Sequence, residues 1–477
     1  MEKFKLMLLC FVSLVFTSCF EDNDDNAIAT NEINDFVWKG MNAVYLYKDE
    51  IPDLADDRFS SNEEYANYLN SFDTPEAIFE SLKFQPETVD RFSRIIPDYI
   101  AFEQSQQGTS VSKGLEFKLY FEPGSDTDIY GVISLVLNNS VADNSGLERG
   151  QIFDAIDGVQ LTFDNRVELL TQPSFTLNLA NYLNNGTETT DDDTIESTEE
   201  EVSLTAEVYT ENPVHLITII PVNGENVGYL VYNGFNSSFN NELNNAFGEF
   251  AANNIDHLVL DLRYNPGGSV NTARLLGSMI TGQFTGQVYS KLVANNNFED
   301  QNINFVDSFD GTPVNSLNLN EVYIIATDRS ASASELVINS LEEYIDVVHI
   351  GDETVGKTQA SVTVYDSPEL FNRQNVNPRH TYAMQPLVSN SVDAKDEAVR
   401  ATGLIPDIKI MEVAQNFGTL GAPNEPLLAA ALANIEGTGR FNYNNQKENR
   451  EVDSDFLIKP FEEEMYIEND WMPGIQK

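Results

Sequence analysis

The chain is poor in the residues on which many enzyme classes depend. It holds two cysteines, Cys10 and Cys19, in 477 residues. Cys10 falls in an apolar leader, so the mature chain has no disulfide and no thiol catalyst unless Cys19 stays free. The four histidines are His215, His257, His349 and His380. None belongs to an H-E-x-x-H pattern or a Cys/His cluster, so no metal site and no cofactor are expected. A G-x-S-x-G elbow is also missing, which leaves a Ser-His-Asp hydrolase without its usual motif. Basic residues are scarce: 27 Lys and Arg stand against 76 Asp and Glu, a formal charge of −49. Phosphate binding needs clustered Lys and Arg, so nucleic acid is excluded as a partner. Such acidity suits solubility outside the cell or in salty surroundings.

The N-terminus is a targeting segment. Lys3 and Lys5 precede an apolar run from Leu6 to Phe16, short of the ~20 residues that a membrane-spanning helix needs. Thr17, Ser18 and Cys19 follow, and small residues just before a cysteine resemble the lipobox of bacterial lipoproteins. The resemblance implies removal of residues 1–18 and lipidation of Cys19. The acidic run Phe20-Glu21-Asp22-Asn23-Asp24-Asp25 resembles the surface-export tether of Bacteroidetes-type lipoproteins, so residues 19–30 read as a tether. It lacks the Gly and distal Glu of a calcium loop. The expected location is the outer membrane or cell surface, lipid-anchored to the membrane and facing the periplasm or the exterior.

A hydrophobic content of 41% is enough to build cores in the remainder. Residues 31–107 read as a helical domain, with Phe36, Met41, Val44 and Tyr45 at helical spacing. From 112 the pattern becomes that of strands, with Leu115, Phe117, Leu119 and Phe121 alternating. The string from Ser140 to Gly158, containing Gly146-Leu147-Glu148-Arg149-Gly150, gives a short helix, a strand and an Asp-Gly turn. It resembles a PDZ domain of the protease-associated kind, expected over 112–210. In such a domain Gly114-Leu115-Glu116-Phe117 would receive a peptide C-terminus, the peptide adding as a strand. Residues 184–201 are polar and acidic and read as a solvated insertion. From 214 to 435 apolar strands alternate with helices, which argues for an α/β core. Residues 436–477 are polar and carry no element that can be read.

Three segments of that core carry chemistry. Asp261-Leu262-Arg263-Tyr264-Asn265-Pro266-Gly267-Gly268 ends an apolar strand in a sharp turn, whose backbone N–H groups can face a developing oxyanion. Ser330-Ala331-Ser332-Ala333-Ser334-Glu335 joins a strand to a helix. Ser332 and Glu335 have capping-box spacing, so the plain reading is a helix cap. A serine at that junction is also placed as a nucleophile, with the Ala333 N–H as an oxyanion donor. Finally, a strand ending at Ile350-Gly351 leads to Gly356-Lys357. A lysine acting as a base must be neutral, which takes roughly 4–5 kcal/mol of desolvation to bring its pKa near 7.

Together, D-L-R-x-N-x-G-G, S-A-S-A-S-E and a G-K pair whose lysine lies 25 residues after Ser332 resemble the C-terminal processing (tail-specific) serine peptidases. Gly403-Leu404-Ile405-Pro406-Asp407 matches a further string of that family. The resemblance implies a tricorn/crotonase-like α/β catalytic core, an inserted or preceding PDZ-like β domain and an N-terminal helical domain. It implies a Ser332–Lys357 dyad, an oxyanion hole from Ala333 and Gly267 or Gly268, and a polypeptide substrate. Arg263 and Glu335 are expected to be structural. Where that family often places a lysine-orienting glutamine, this chain has Ser361, with Gln359 two residues earlier. The competing reading is a non-catalytic peptide-binding surface lipoprotein.

Overall fold

The computed structural model describes residues 30–187, 189–368, 373–437, 449–452 and 465–467. The leader, Cys19 and the acidic tether lie outside the described residues.

The N-terminal region is built from four helices, Thr30–Val44, Asn62–Leu69, Pro75–Ser81 and Tyr99–Gln106. Three start on side-chain caps: Ser61, Thr74 and Asp98 each accept a backbone N–H of the first turn. In the first helix Ile33, Phe36, Val37, Met41 and Val44 are buried, the single apolar stripe expected of a helix resting on a core. That stripe packs into the same apolar cluster as Leu258, Leu260 and Leu276. The helical region is therefore seated on the α/β core and shares its interior.

A two-stranded ribbon, Thr109–Ser112 against Glu207–Thr210, leads into and out of a smaller β unit. Its sheet runs in the order Glu451–Val452, Leu115–Phe121, Ile129–Val136, Ile152–Ile156, Ser174–Leu183 and Thr194–Thr205. Phe117, Leu119, Ile133, Phe153 and Leu177 fill its interior. The expected turn is present, with Asp157 at φ 52° and Gly158 at φ 73°.

The acidic stretch 184–201 departs from the expected loop. Its second half belongs to the strand Thr194–Thr205, which pairs with Ser174–Leu183. Ile195 packs beside Tyr120 and Tyr130, while Glu196, Glu199, Glu200 and Glu201 are exposed. Charged side chains on an outermost strand keep it from pairing with other chains. The acidity therefore marks a sheet edge.

The larger α/β unit is a six-stranded sheet in the order Val214–Val222, Glu225–Tyr232, His257–Asp261, Glu321–Ala326, Asp346–Gly351 and Ile408–Lys409. The first pair is antiparallel and every later pair parallel. Both faces are covered, as parallel strands require. Leu258, Leu260, Val322 and Ile324 pack under the helices Asn240–Ala252, Val270–Thr281 and Ala333–Leu341. Val259, Tyr323, Ile325 and Ile350 face the helix Pro426–Ile435. Because neighbouring strands run the same way, the turns that follow Asp261, Ala326 and Gly351 leave one edge of the sheet. Ligand sites of open α/β sheets sit at that edge.

A second sheet runs Gly268–Ser269, Met465–Tyr466, Gln359–Ser361, Leu387–Val392, Val288–Ala294 and Gln301–Asn304. The polar C-terminal segment, where the sequence shows no element, thus supplies two short strands, Glu451–Val452 and Met465–Tyr466.

Candidate active site

The strand Glu321–Ala326 ends in a tight loop that delivers Ser332 to the head of the helix Ala333–Leu341. Three serines, Ser330, Ser332 and Ser334, cluster at this junction of loop and helix, and two are committed elsewhere. Ser330 Oγ donates to the Leu262 carbonyl at 2.7 Å, and Ser334 Oγ donates to the Asn265 carbonyl at 2.9 Å. These bonds tie the loop to the Asn-Pro-Gly-Gly turn. Ser332 Oγ is buried and has no hydrogen-bond partner. Its backbone sits at φ 64°, ψ −113°, a conformation that costs a non-glycine residue about 1–3 kcal/mol. A strained junction between strand and helix with an uncommitted hydroxyl is the arrangement of a nucleophile elbow. The plain capping reading is only half realised: Glu335 accepts the Ser332 N–H at 2.8 Å, but the serine hydroxyl does not cap.

Glu335 does more than close that box. Its Oε2 accepts the Lys357 N–H at 2.9 Å as well as that of Ser332, and its Oε1 accepts the Gly356 N–H at 2.7 Å and the Thr354 hydroxyl. Burial pushes this carboxyl upward, against the pull of the four donors. One buried carboxylate therefore fixes the backbones that carry Ser332 and Lys357.

Lys357 is 1% exposed and its Nζ lies 4.8 Å from the centroid of the Phe92 ring. The aromatic face favours an ammonium, whereas burial opposes the charge. The turn before the lysine is clamped by the Gly-Leu-Ile-Pro-Asp string. Thr354 and Leu404 exchange bonds, Thr354 N–H to the Leu404 carbonyl at 3.2 Å and Leu404 N–H to Thr354 Oγ1 at 2.8 Å. Gly356 has φ 83°, and a Cβ there would stand 2.4 Å from the Ala401 carbonyl oxygen.

The Asn265-Pro266-Gly267-Gly268 turn completes the constellation. Gly267 N–H donates to Asn265 Oδ1 at 3.0 Å, so it is already used. Gly268 has φ 132° and a Cβ on it would meet the Phe235 carbonyl oxygen at 2.3 Å. Ala333 opens its helix, so its N–H lies outside the intrahelical ladder. The turn borders a cleft of about 500 Å³ that is also lined by Phe235, Tyr264, Glu116 and Tyr466.

The remaining candidates have other partners. Gln359 donates its amide to Tyr47 Oη at 3.4 Å, and Ser361 Oγ donates to the Met465 carbonyl at 3.1 Å. Neither bond orients Lys357. Gly114 stands at φ 73° at the foot of the strand Leu115–Phe121, which includes Glu116 and Phe117. Arg263 is fully buried and paired with Asp261, Glu412 and Glu425. No histidine hydrogen-bonds to Ser332; His349 instead places Nε2 3.3 Å from the Ala326 carbonyl. Sequence reasoning missed the reach of Glu335 to the lysine side, the use of Asn265 in the turn, and Phe92. Only the capping-box spacing of Glu335 gave a signal.

These features define a peptidase architecture, and comparison with known proteins gives it a family. Residues 226–410 match the family model described as peptidase family S41, and residues 32–94 match the peptidase S41 N-terminal domain. The chain belongs to peptidase family S41. It is 26% identical over 287 residues to a carboxyl-terminal-processing protease of Picosynechococcus sp., covering 59% of this chain and 62% of that one. A probable CtpA-like serine protease of Staphylococcus epidermidis is 28% identical over 132 residues, 28% of this chain and 25% of the relative. The chain thus spans less than two thirds of the length of these curated relatives. Among solved structures, a putative S41 protease from Bacteroides fragilis superposes with a TM-score of 0.68 at 26% identity, covering 85% of this chain and 98% of that one. The fold is that of an S41 peptidase, mixed α/β with an N-terminal helical region and several β-sheets.

Proposed function

We propose that the chain is a serine endopeptidase of the C-terminal processing type, acting on unfolded or tail-exposed polypeptides. The observation that carries this reading is the uncommitted, strained Ser332 held with Lys357 on one carboxylate. In the proposed mechanism Ser332 Oγ attacks the scissile carbonyl and passes its proton to Lys357 Nζ. The tetrahedral oxyanion sits against the N–H groups of Ala333 and Gly268. Lys357 then protonates the leaving amine; Lys357 Nζ, neutral again, deprotonates a water that attacks the acyl group, and its proton returns to Ser332 Oγ as the acid leaves.

The smaller β unit fits a PDZ-like role: its strand Leu115–Phe121 follows the Gly114 turn and offers an edge to which a peptide can add. The leader, with lipidation at Cys19, fits an exported, membrane-anchored location, and radiolabelled palmitate lost in a Cys19→Ala chain tests that assignment.

The activity test uses the chain from residue 20 onward and an unstructured protein as substrate. Cleavage is expected with the native residues and none with Ser332→Ala or Lys357→Ala. Activity that survives Lys357→Ala would sink the dyad.

A further inference from the structure

Two edges of this molecule are built to accept a strand, and both already hold one from the chain's own C-terminal segment. On the smaller β unit, Glu451 and Val452 pair antiparallel with Tyr120 and Leu119, and the Phe121 N–H donates to the Arg450 carbonyl at 2.9 Å. Val452 is 1% exposed and packs into the interior of that unit. At the catalytic edge, Met465 and Tyr466 lie parallel to Gly268 and Ser269, while Tyr466 also pairs with Ser361. The Ile467 N–H donates to the Ser361 carbonyl at 2.9 Å, and Ser361 Oγ donates to the Met465 carbonyl.

The strand Met465–Tyr466 therefore lies between the glycine turn and the strand that follows Lys357. Met465 is 1% and Ile467 3% exposed, while Tyr466 borders the cleft beside Gly267 and Gly268. Alternate apolar side chains are thus buried, as the period of a strand dictates. A substrate that adds to Gly268 in an extended form needs the backbone edge that Met465 and Tyr466 occupy.

We propose that residues 450–452 and 465–467 are a tethered competitor, holding the peptide-binding edge of the smaller unit and the catalytic cleft together until a polypeptide displaces them or they are removed. The same contacts define the class of chain the cleft takes: an extended polypeptide with apolar residues at alternate positions. Twelve residues, 453–464, link the two strands. A segment tethered over such a length meets its site at an effective concentration of about millimolar, so substrates at micromolar levels compete poorly. This inference rests on the protease reading only for its kinetic consequence.

The test separates the two. Chains 20–477 and 20–437 are made with Ser332→Ala, and a fluorescent peptide of residues 449–468 is titrated into each. The shorter chain is expected to bind it saturably, and the longer chain about tenfold more weakly or worse. With Ser332 intact, the shorter chain is expected to cleave an unstructured protein with a KM lowered about tenfold, and the peptide to inhibit it competitively. Absence of peptide binding to the folded shorter chain overturns the proposal. Binding without cleavage by either length leaves it standing and removes the protease reading. If the shorter chain fails to fold, a site for a specific protease placed after Pro460 lets the full chain fold first. Release of the C-terminal fragment with a rise in activity supports the competitor; retention with no rise, or release with loss of the fold, makes the segment a structural strand.

Discussion

The backbone N–H groups of Ser332 and Lys357 converge on a single atom, Oε2 of Glu335, at 2.8 and 2.9 Å. The two residues are 25 apart in sequence and leave the ends of neighbouring parallel strands. Those strands set their approximate positions, and the shared acceptor sets the finer one. In the proposed mechanism Glu335 is a positioning residue: it touches the backbones of Ser332 and Lys357.

Replacing it by glutamine turns one acceptor oxygen into a donor. The Thr354 hydroxyl can rotate to accept from the new amide, but the buried Gly356 N–H loses its partner. An unsatisfied buried donor costs about 1–3 kcal/mol, and a misplaced dyad lowers kcat by about 10- to 100-fold for that energy. Glu335→Gln is therefore expected to lower kcat with little change in KM, and Glu335→Ala to lower the melting temperature as well.

The acid limb of the pH profile follows from the same site. Burial raises the Glu335 carboxyl above its ordinary value of 4.5. A carboxyl raised on folding holds its proton more tightly in the folded chain. Its contribution to stability is full below 4.5 and is lost as pH climbs through the raised value. The proposed dyad needs the ionised form, because four donors require four acceptor positions. Activity is expected to fall on the acid side above the usual carboxylate range, and Glu335→Gln to lose that limb. Initial rates and melting curves on one pH series check both signs.

Ser361 tests the fate of the lysine-orienting position. Its hydroxyl bonds to the Met465 carbonyl, so Ser361→Ala is expected to leave the alkaline limb of the pH profile in place and to weaken retention of the C-terminal segment. A shift of the alkaline limb with unchanged retention would return Ser361 to the lysine.

The sheet, and the motifs from which a Ser332–Lys357 dyad is proposed, were legible because their signals are local. Strands such as Leu258–Leu260 and Ile324–Ala326 are buried on both faces, so they read as apolar runs. Gly267 and Gly268 after Asp261, and Gly356 after the strand Asp346–Gly351, mark two of the strand ends beside the candidate site. The distinction between a capping and a reactive Ser332 was not local. It depends on Ser330 and Ser334 spending their hydroxyls on Leu262 and Asn265, some seventy positions away. The acidic strand Thr194–Thr205 hid because its glutamates face solvent, and composition alone does not separate an edge strand from a loop. Met465–Tyr466 is two residues long, and its partners Gly268 and Ser361 are more than a hundred positions distant. No propensity within such a segment announces its pairing.

Gly268→Ala probes the turn. The added methyl would lie 2.3 Å from a backbone oxygen of Phe235, at a φ of 132° that side chains rarely adopt. The backbone must move, taking its N–H away from the proposed oxyanion. Loss of one such donor costs about 100- to 1000-fold in kcat. The expected result is that loss in kcat with a smaller loss in melting temperature; unchanged kcat would remove Gly268 from the oxyanion hole.

The last prediction concerns the joint between the smaller β unit and the Asn265-Pro266-Gly267-Gly268 turn. Arg149 donates to the Ser134 carbonyl, Tyr264 Oη and Glu412 Oε1, while Tyr264 Oη donates to Glu412 at 2.7 Å and Arg263 pairs with Glu412 at 3.0 Å. Tyr264 directly precedes Asn265, so this buried network couples the β unit to the turn that carries Gly268. Burial alone would push the Glu412 carboxyl up, but the Arg149 and Arg263 guanidiniums and Lys118 outweigh it and hold the group well below the usual carboxylate range. A depressed carboxyl contributes its stability above the unfolded value of about 4.3 and loses it as pH falls through the folded one. Glu412→Gln leaves two buried guanidiniums short of charge, a change that costs about 3–5 kcal/mol. Urea unfolding at pH 7 is expected to show that cost, and the gap between native and variant chains to narrow only below about pH 4. A gap that stays constant down to pH 3 would mean that Glu412 acts by packing and not by charge.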